Sequence, residues 1–274
     1  MNIFGSFKER VKTTPLALPY IWFKNRMNIS VASQSNEAEI CDRLISRFDL
    51  PKSFVEFGFS GWEFNCIKLA KDPQWDGLLL DGKAYNVMVA KELFHKKITA
   101  KQLWLTLDSL DFVLNYARHG DLGILSVDVD GNDYWFLEKL IPIKPALIIT
   151  EFNVSFGMRP ISVPYDSSFD RTKKHESCEY YGASLSAFNH LCSRSNYSLV
   201  AISENGVNAF FVRNDLFRDE SERLPIEEVR LVKTYPGGSE APSSKIWNQI
   251  KHLPYVDVTM PDANYGSCGT KLFL

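Results

Sequence analysis

The stretch Phe54-Val-Glu-Phe-Gly-Phe-Ser-Gly-Trp-Glu-Phe-Asn-Cys-Ile-Lys-Leu69 decides the fold. It reads as an apolar strand over 54–57, a turn holding Gly58 and Gly61, and a helix over about 63–70. A strand that breaks at glycines into a helix N-terminus offers bare backbone N–H groups and a positive dipole end to a ligand. Further on, Asp81 closes the apolar run Gly77-Leu-Leu-Leu80. An acidic residue at the end of the second strand is where a pair of ribose hydroxyls would be held. The two signals together predict a nucleoside-containing ligand.

Working outward, Ala38, Ile40, Cys41, Leu44, Ile45 and Phe48 recur at helical spacing and predict a helix over 35–48, capped by Ser35 or Asn36 and closed off before Pro51. Downstream, strands are expected at 78–80, 98–105, 123–129 and 146–150, with helices at 85–93, 109–118 and 133–140 between and after them. Strand alternating with helix predicts an α/β fold: a doubly wound, mostly parallel sheet with helices on both faces. Right-handed crossovers put the strand C-termini on one edge, where ligands bind. Gly58, Asp81, Asp128, Asp130 and Glu151 all fall on that edge. Beyond 155 the pattern changes to a loop over 158–174 and a helix over 184–195. Strands at 198–203 and 208–213, joined by Glu204-Asn-Gly-Val207, then predict an antiparallel hairpin closing the sheet edge. The expected organisation is an N-terminal helical extension (1–50), a core (51–215) and an irregular C-terminal extension (216–274).

Composition narrows the function classes. A chain of 274 residues with net charge −2 has no basic field for nucleic acid. Five scattered cysteines (Cys41, Cys66, Cys178, Cys192, Cys268) without C-x-x-C spacing argue against a disulfide framework or a structural zinc site. Charges interrupt every apolar run near the N-terminus, and none approaches the ~20 residues that span a bilayer. The expectation is a cytoplasmic protein with no membrane span and no nucleic-acid partner, in which homo-oligomerisation is left open.

The glycine turn lacks the third glycine of G-x-G-x-x-G, and Glu63 would sit where a pyrophosphate belongs. That repels NAD and is harmless to a cofactor without phosphate, such as S-adenosylmethionine, whose sulfonium amino-acid end Glu56 would approach. A second motif, Leu125-Ser-Val-Asp-Val-Asp-Gly-Asn-Asp-Tyr-Trp135, crowds Asp128, Asp130 and Asp133 together. Such crowding costs repulsion unless a cation, a hydrogen-bond network or a cap relieves it. Its spacing resembles a calcium loop without the later glutamate. Turn chemistry at Asp130-Gly131 and a cap at Asp133 are the plainer readings. Glu151 and Asn153 end the fifth strand. With Asp128 or Asp130 they would suit Mg²⁺, and the alternative is that they hold substrate hydroxyls directly. His175, in the polar loop Asp170-Arg-Thr-Lys-Lys-His-Glu-Ser177, is a candidate general base or a bystander.

The strings Phe54-Val-Glu-Phe-Gly58, Leu79-Leu-Asp-Gly82, Ser126-Val-Asp-Val-Asp-Gly-Asn-Asp-Tyr-Trp135 and Glu151-Phe-Asn-Val-Ser-Phe-Gly157 resemble the class I S-adenosylmethionine-dependent methyltransferases, in the FkbM-like branch. So do Val163-Pro-Tyr-Asp166, Tyr181-Gly-Ala-Ser-Leu185 and Gly206-Val-Asn-Ala-Phe-Phe-Val212. The resemblance covers about residues 50–215, and Glu56 stands where the usual first motif has Asp. It implies a Rossmann-like methyltransferase fold and O-methylation of a saccharide or surface-polysaccharide precursor. The cofactor-binding candidates it implies are Glu56, Gly58, Ser60, Gly61, Asp81, Gly82 and Asp128. Asp128, Asp130 and His175 are the catalytic candidates, and Asp130, Glu151 and Asn153 the metal candidates. Two other readings stand beside it: a nucleotide-dependent oxidoreductase, and a non-catalytic binding protein retaining the fold.

Overall fold

The computed structural model describes residues 33–117, 121–234, 239–241 and 243–260, together with Pro19. Helix α1 (Glu37–Phe48) precedes strand β1 (Ser53–Phe57). The chain continues through α2 (Ile67–Lys71), β2 (Asp76–Asp81), α3 (Ala84–Leu93) and β3 (Ile98–Gln102). Then come α4 (Asp111–Ala117), β4 (Ile124–Val127), α5 (Asp133–Leu140) and β5 (Leu147–Glu151). After β6 (Ile161–Ser162), α6 (Arg171–Lys174) and α7 (Leu185–Arg194), strands β7 (Tyr197–Ile202) and β8 (Asn208–Arg213) form the expected hairpin.

The sheet order is β3-β2-β1-β4-β5-β8-β7. The first five strands pair in parallel, and β8 runs antiparallel to both β5 and β7. This is a doubly wound, mostly parallel sheet with an antiparallel edge hairpin, as the alternation predicts. Strand order reverses between β1 and β4, which opens a crevice at their C-terminal ends.

Side chains alternate between two cores, since successive residues of a strand face opposite ways. Val55, Phe57, Leu80, Val127 and Ile148 pack with Trp135, Leu137, Phe188 and Leu191 of α5 and α7. Phe54, Leu79, Ile124, Ile149 and Phe210 pack with Ala38, Cys41 and Leu44 of α1, Leu69 of α2 and Val87 of α3. Burial on both faces is why the strands read as unbroken apolar runs. The same alternation places Glu56, Ser126, Glu151 and Asn208 on the α1 side of the sheet.

Three expectations differ from what is observed. The helix foreseen at 63–70 begins only at Ile67, for a reason given below. The loop foreseen over 158–174 contains β6 and α6. The tail foreseen as irregular carries short strands β9 (Lys233–Thr234) and β10 (Glu240–Ala241), helix α8 (Ser243–Ile250) and β11 (Val256–Asp257), which pairs with β6. Ile246, Trp247 and Ile250 share one face of α8 and pack against a third cluster containing Phe156, Tyr180 and Tyr255, and that burial is what orders the tail. Among the described residues no helix is long and apolar enough to cross a membrane. Cys268 and, Pro19 apart, the N-terminal extension before Ser33 lie outside the described residues.

Candidate active-site cleft at the strand ends

A polar cleft of about 210 Å³ opens where β1 and β4 part, lined on one side by Glu56, Gly58, Phe59, Ser60, Glu63 and Asn65. Asp128, Asp130, Glu151 and Arg171 form the other side. The turn after β1 needs its first glycine. Gly58 sits at φ +72°, and a Cβ there would lie 1.4 Å from the carbonyl oxygen of Asp128. The two strand ends are in backbone contact, so the turn and the acidic loop form one unit.

Glu56 does not offer its charge to a ligand. The backbone N–H groups of Asn65 and Cys66 donate to its two carboxylate oxygens at 2.7 and 3.0 Å, and the side chain is 2% exposed. This contact pins the two residues just ahead of α2, which begins at Ile67, and occupies N–H groups that the sequence offered to a ligand. Burial pushes the Glu56 carboxyl up from its ordinary 4.5 to about 7, with the two N–H donors opposing the shift. A carboxyl raised on folding contributes stability that is fully present below pH 4.5 and lost as pH rises through 7. Between pH 4.5 and 8 the unfolding free energy of the wild type should therefore fall relative to Glu56→Gln, by up to about 3 kcal/mol. Denaturant titrations of both proteins at the two pH values measure this, and parallel pH profiles would contradict it.

The loop after β4 is organised by Asp133, which is 1% exposed. Its carboxylate accepts from the N–H groups of Val129 and Gly131 at 2.7 and 2.8 Å. Burial raises its carboxyl to about 6. Asp133 thus folds the loop and turns Asp130 into the left-handed region at φ +58°. Asp130 and Asp128 then face Glu151, and one oxygen from each of the three lies within 4.8 Å of the others. At that separation each ionised pair costs about 3 kcal/mol at an effective dielectric of ~20, so full ionisation of all three calls for a cation. Burial, then the neighbouring carboxylates, holds Asp128 and Glu151 well above the usual carboxylate range. Among the described residues no hydrogen bond reaches Asp128, and the buried Oε2 of Glu151 has no partner. The Tyr181 hydroxyl donates to the other Glu151 oxygen at 3.3 Å.

Not every candidate joins this cluster. Asn153 is 1% exposed and fully engaged: its amide donates to the carbonyls of Glu179 and Tyr181, and its Oδ1 accepts from Ser155 N–H. It shapes the loop, and Asp128 takes its place beside Asp130 and Glu151. His175 does not line the cleft, and its Nδ1 lies 2.8 Å from Ser177 Oγ. Asp81 sits one strand over, where Oδ1 accepts from Lys83 N–H (2.6 Å) and the Asn86 amide (3.1 Å). Asn86 also donates to the Phe59 carbonyl, tying the glycine turn to the end of β2. Gly61 lies against Tyr85 and Asn86, and Gly82 against Trp104. Ser60 donates to Glu63 at 3.2 Å on the cleft rim.

Sequence reading missed Arg171, which entered it only as a member of the polar loop 170–177 around His175. Its guanidinium pairs with Asp130, its Nε donates to the Cys178 carbonyl at 2.9 Å, and it stacks 3.8 Å above the Tyr181 ring. The available signal was a basic loop leaving the strand that ends in Glu151.

No protein-family model matches the chain, and no curated protein matches it. Solved structures do align with it at low identity. An O-methyltransferase from Bacillus cereus in complex with SAH shares 14% identity over 75% of this chain and 95% of its own, with a TM-score of 0.46. A methyltransferase from Geobacter sulfurreducens shares 15% over 77% and 94%, with a TM-score of 0.41. The N-terminal domain of EvdMO1, solved with SAH and D-fucose, shares 14% over 65% and 81%, with a TM-score of 0.40. At such distances the function has to be argued from the cleft itself.

Proposed function

We propose that this protein is an S-adenosylmethionine-dependent O-methyltransferase of the FkbM-like branch, acting in the cytoplasm on a hydroxyl of a saccharide or surface-polysaccharide precursor. One observation carries the reading: the backbone N–H groups of Asn65 and Cys66, just ahead of the helix where a pyrophosphate would approach, are already taken by the Glu56 carboxylate, and further carboxylates ring the cleft beside it. Such a cleft repels a dinucleotide and suits a cationic donor that lacks phosphate. This sets the oxidoreductase reading aside on physical grounds.

S-adenosylmethionine supplies a methyl group already activated on a sulfonium. The chain's part is to bind and orient. The Gly58–Gly61 turn, with Ser60, lets backbone approach the donor. Asp81, beside Gly82, keeps one carboxylate oxygen free of hydrogen bonds among the described residues for a ribose hydroxyl. On the β4–β5 side, Asp128 and Asp130 face the acceptor hydroxyl. The donor set of Asp128, Asp130 and Glu151 fits a hard divalent cation such as Mg²⁺, three carboxylates with one buried oxygen unpaired. Such an ion, when bound, lowers the pKa of a hydroxyl. Positioning does most of the work, because the donor needs no further activation.

Calorimetry with S-adenosylhomocysteine and with NAD tests the reading. Micromolar binding of the first and none of the second is expected, and the reverse pattern would overturn it. His175→Ala should leave S-adenosylhomocysteine affinity within about twofold, because that ring does not line the cleft.

A further inference from the structure

Among the described residues lining the cleft, Arg171 is the only cation. Its setting differs from that of a surface ion pair. Three contacts hold it: the ion pair with Asp130, the Nε hydrogen bond to the Cys178 carbonyl, and the stack on Tyr181. Only the first involves the acidic cluster. If Asp130 turned to another cation, the other two would keep the guanidinium where it is, with its two Nη groups on the cleft wall. Nη2 has no hydrogen-bond partner among the described residues, and the side chain is 21% exposed.

Charge says what such a guanidinium is for. Once all three are ionised, the carboxylates and the one arginine carry a net charge of minus two, which one divalent ion offsets. With an ion bound, Asp130 has a second cationic partner, and Arg171 is no longer the sole relief of the cluster's charge. A fixed guanidinium fork then faces the cleft, and that fork matches carboxylate and phosphate geometry. Its place in the fold decides which ligand it meets. Tyr181, on which Arg171 stacks, bonds to Glu151 at the end of β5. The nucleoside signals are on the β1–β2 side, Gly58 and Gly61 in the turn after β1 and Asp81 at the end of β2. Arg171 is therefore on the acceptor side.

We infer that Arg171 anchors an anionic group of the acceptor, so that the methylated hydroxyl belongs to a compound carrying a carboxylate or a phosphate, such as an acidic sugar or a sugar phosphate. This rests on the methyltransferase reading and on a divalent ion at the cluster. It adds a condition: the anion should bind only when the ion is present, because without it the carboxylates around Arg171 repel a second anion.

The experiment is calorimetry on the full chain saturated with S-adenosylhomocysteine, with and without Mg²⁺, using glucuronate, glucose 6-phosphate and glucose as probes. At least one anionic sugar is expected to bind tenfold or more tighter than glucose, and only with Mg²⁺. Which one it is separates a carboxylate from a phosphate. Arg171→Gln should reduce that preference to within twofold, Arg171→Lys should retain part of it, and both should bind S-adenosylhomocysteine within about threefold of wild type. The inference is overturned if neither anionic sugar outbinds glucose. It is also overturned if the preference survives Arg171→Gln, since the anion then sits on the ion. A tenfold loss of S-adenosylhomocysteine affinity in Arg171→Gln would assign Arg171 to the donor's carboxylate instead. Failure of the wild type to bind S-adenosylhomocysteine would strike the donor reading and take this inference with it, whereas failure to bind Mg²⁺ would strike the ion alone and overturn the Mg²⁺-dependent anchoring.

Discussion

Gly58→Ala should abolish S-adenosylhomocysteine binding and lower stability by about 3 kcal/mol or more. Two costs coincide at this position. A φ of +72° is unfavourable for any residue with a Cβ, and the added carbon would lie 1.4 Å from the Asp128 carbonyl oxygen, far inside contact distance. The clash is with backbone, so no side-chain rotation relieves it. The ends of β1 and β4 must part, which displaces Gly58, whose N–H donates to the Leu80 carbonyl of β2, and shifts Asp128. Donor and ion affinity should therefore fall together in this one variant. Ser60→Ala is the control: it loses a 3.2 Å hydrogen bond to Glu63 at an exposed rim and should cost less than about 1 kcal/mol. Denaturant unfolding and calorimetry read both effects. Normal S-adenosylhomocysteine affinity in folded Gly58→Ala would remove the turn from the donor site.

The contrast between Gly58 and Glu56 shows where sequence reading succeeds and where it stops. Gly58 was legible because a positive-φ turn between a buried strand and a helix is a local demand that glycine meets. The sheet was legible for a related reason: strands buried on both faces must be apolar throughout, and Leu78–Leu80 or Leu147–Ile149 could hardly be anything else. Glu56 was not. Its partners are backbone groups nine and ten residues away, brought back by the turn, and nothing in the residue type separates a carboxylate that pins backbone N–H groups from one that meets a ligand. Arg171 and Asp130 are 41 residues apart and meet only because the loop after β5 folds back over the strand ends. Asn153 was misplaced for the same reason. An amide at a strand end has ligand chemistry in sequence, but here its three hydrogen bonds go to backbone. The edge of the sheet where the polar groups gather was readable, and the division of labour among them was a tertiary matter.

That division leads to the second large effect. Asp128→Asn should lower methyl transfer by about a thousandfold, weaken Mn²⁺ binding by about a hundredfold, and make the protein more stable by about 1 kcal/mol at pH 8. The rate falls because Asp128 is the one member of the cluster that no hydrogen bond from the described residues reaches, so both its oxygens are open to an ion or a hydroxyl. Stability rises because the wild type holds three carboxylates within 4.8 Å with one guanidinium for relief, and asparagine removes one charge at nearly constant volume. A structural carboxylate such as Asp133 behaves oppositely: Asp133→Asn leaves the N–H of Val129 or Gly131 facing an amide NH₂ and should destabilise by about 2 kcal/mol. Asn153→Ala belongs with Asp133. It strands three backbone groups, so it should cost about 2–3 kcal/mol while leaving Mn²⁺ affinity of the folded protein within a few fold. Unfolding curves and Mn²⁺ titrations on the three variants separate strain kept for chemistry from carboxylates and amides kept for the fold. Loss of stability in Asp128→Asn with activity intact would mean that the cluster is scaffolding. Gain of stability with activity gone would mark Asp128 as a charge the fold carries at a cost, because methyl transfer needs it there.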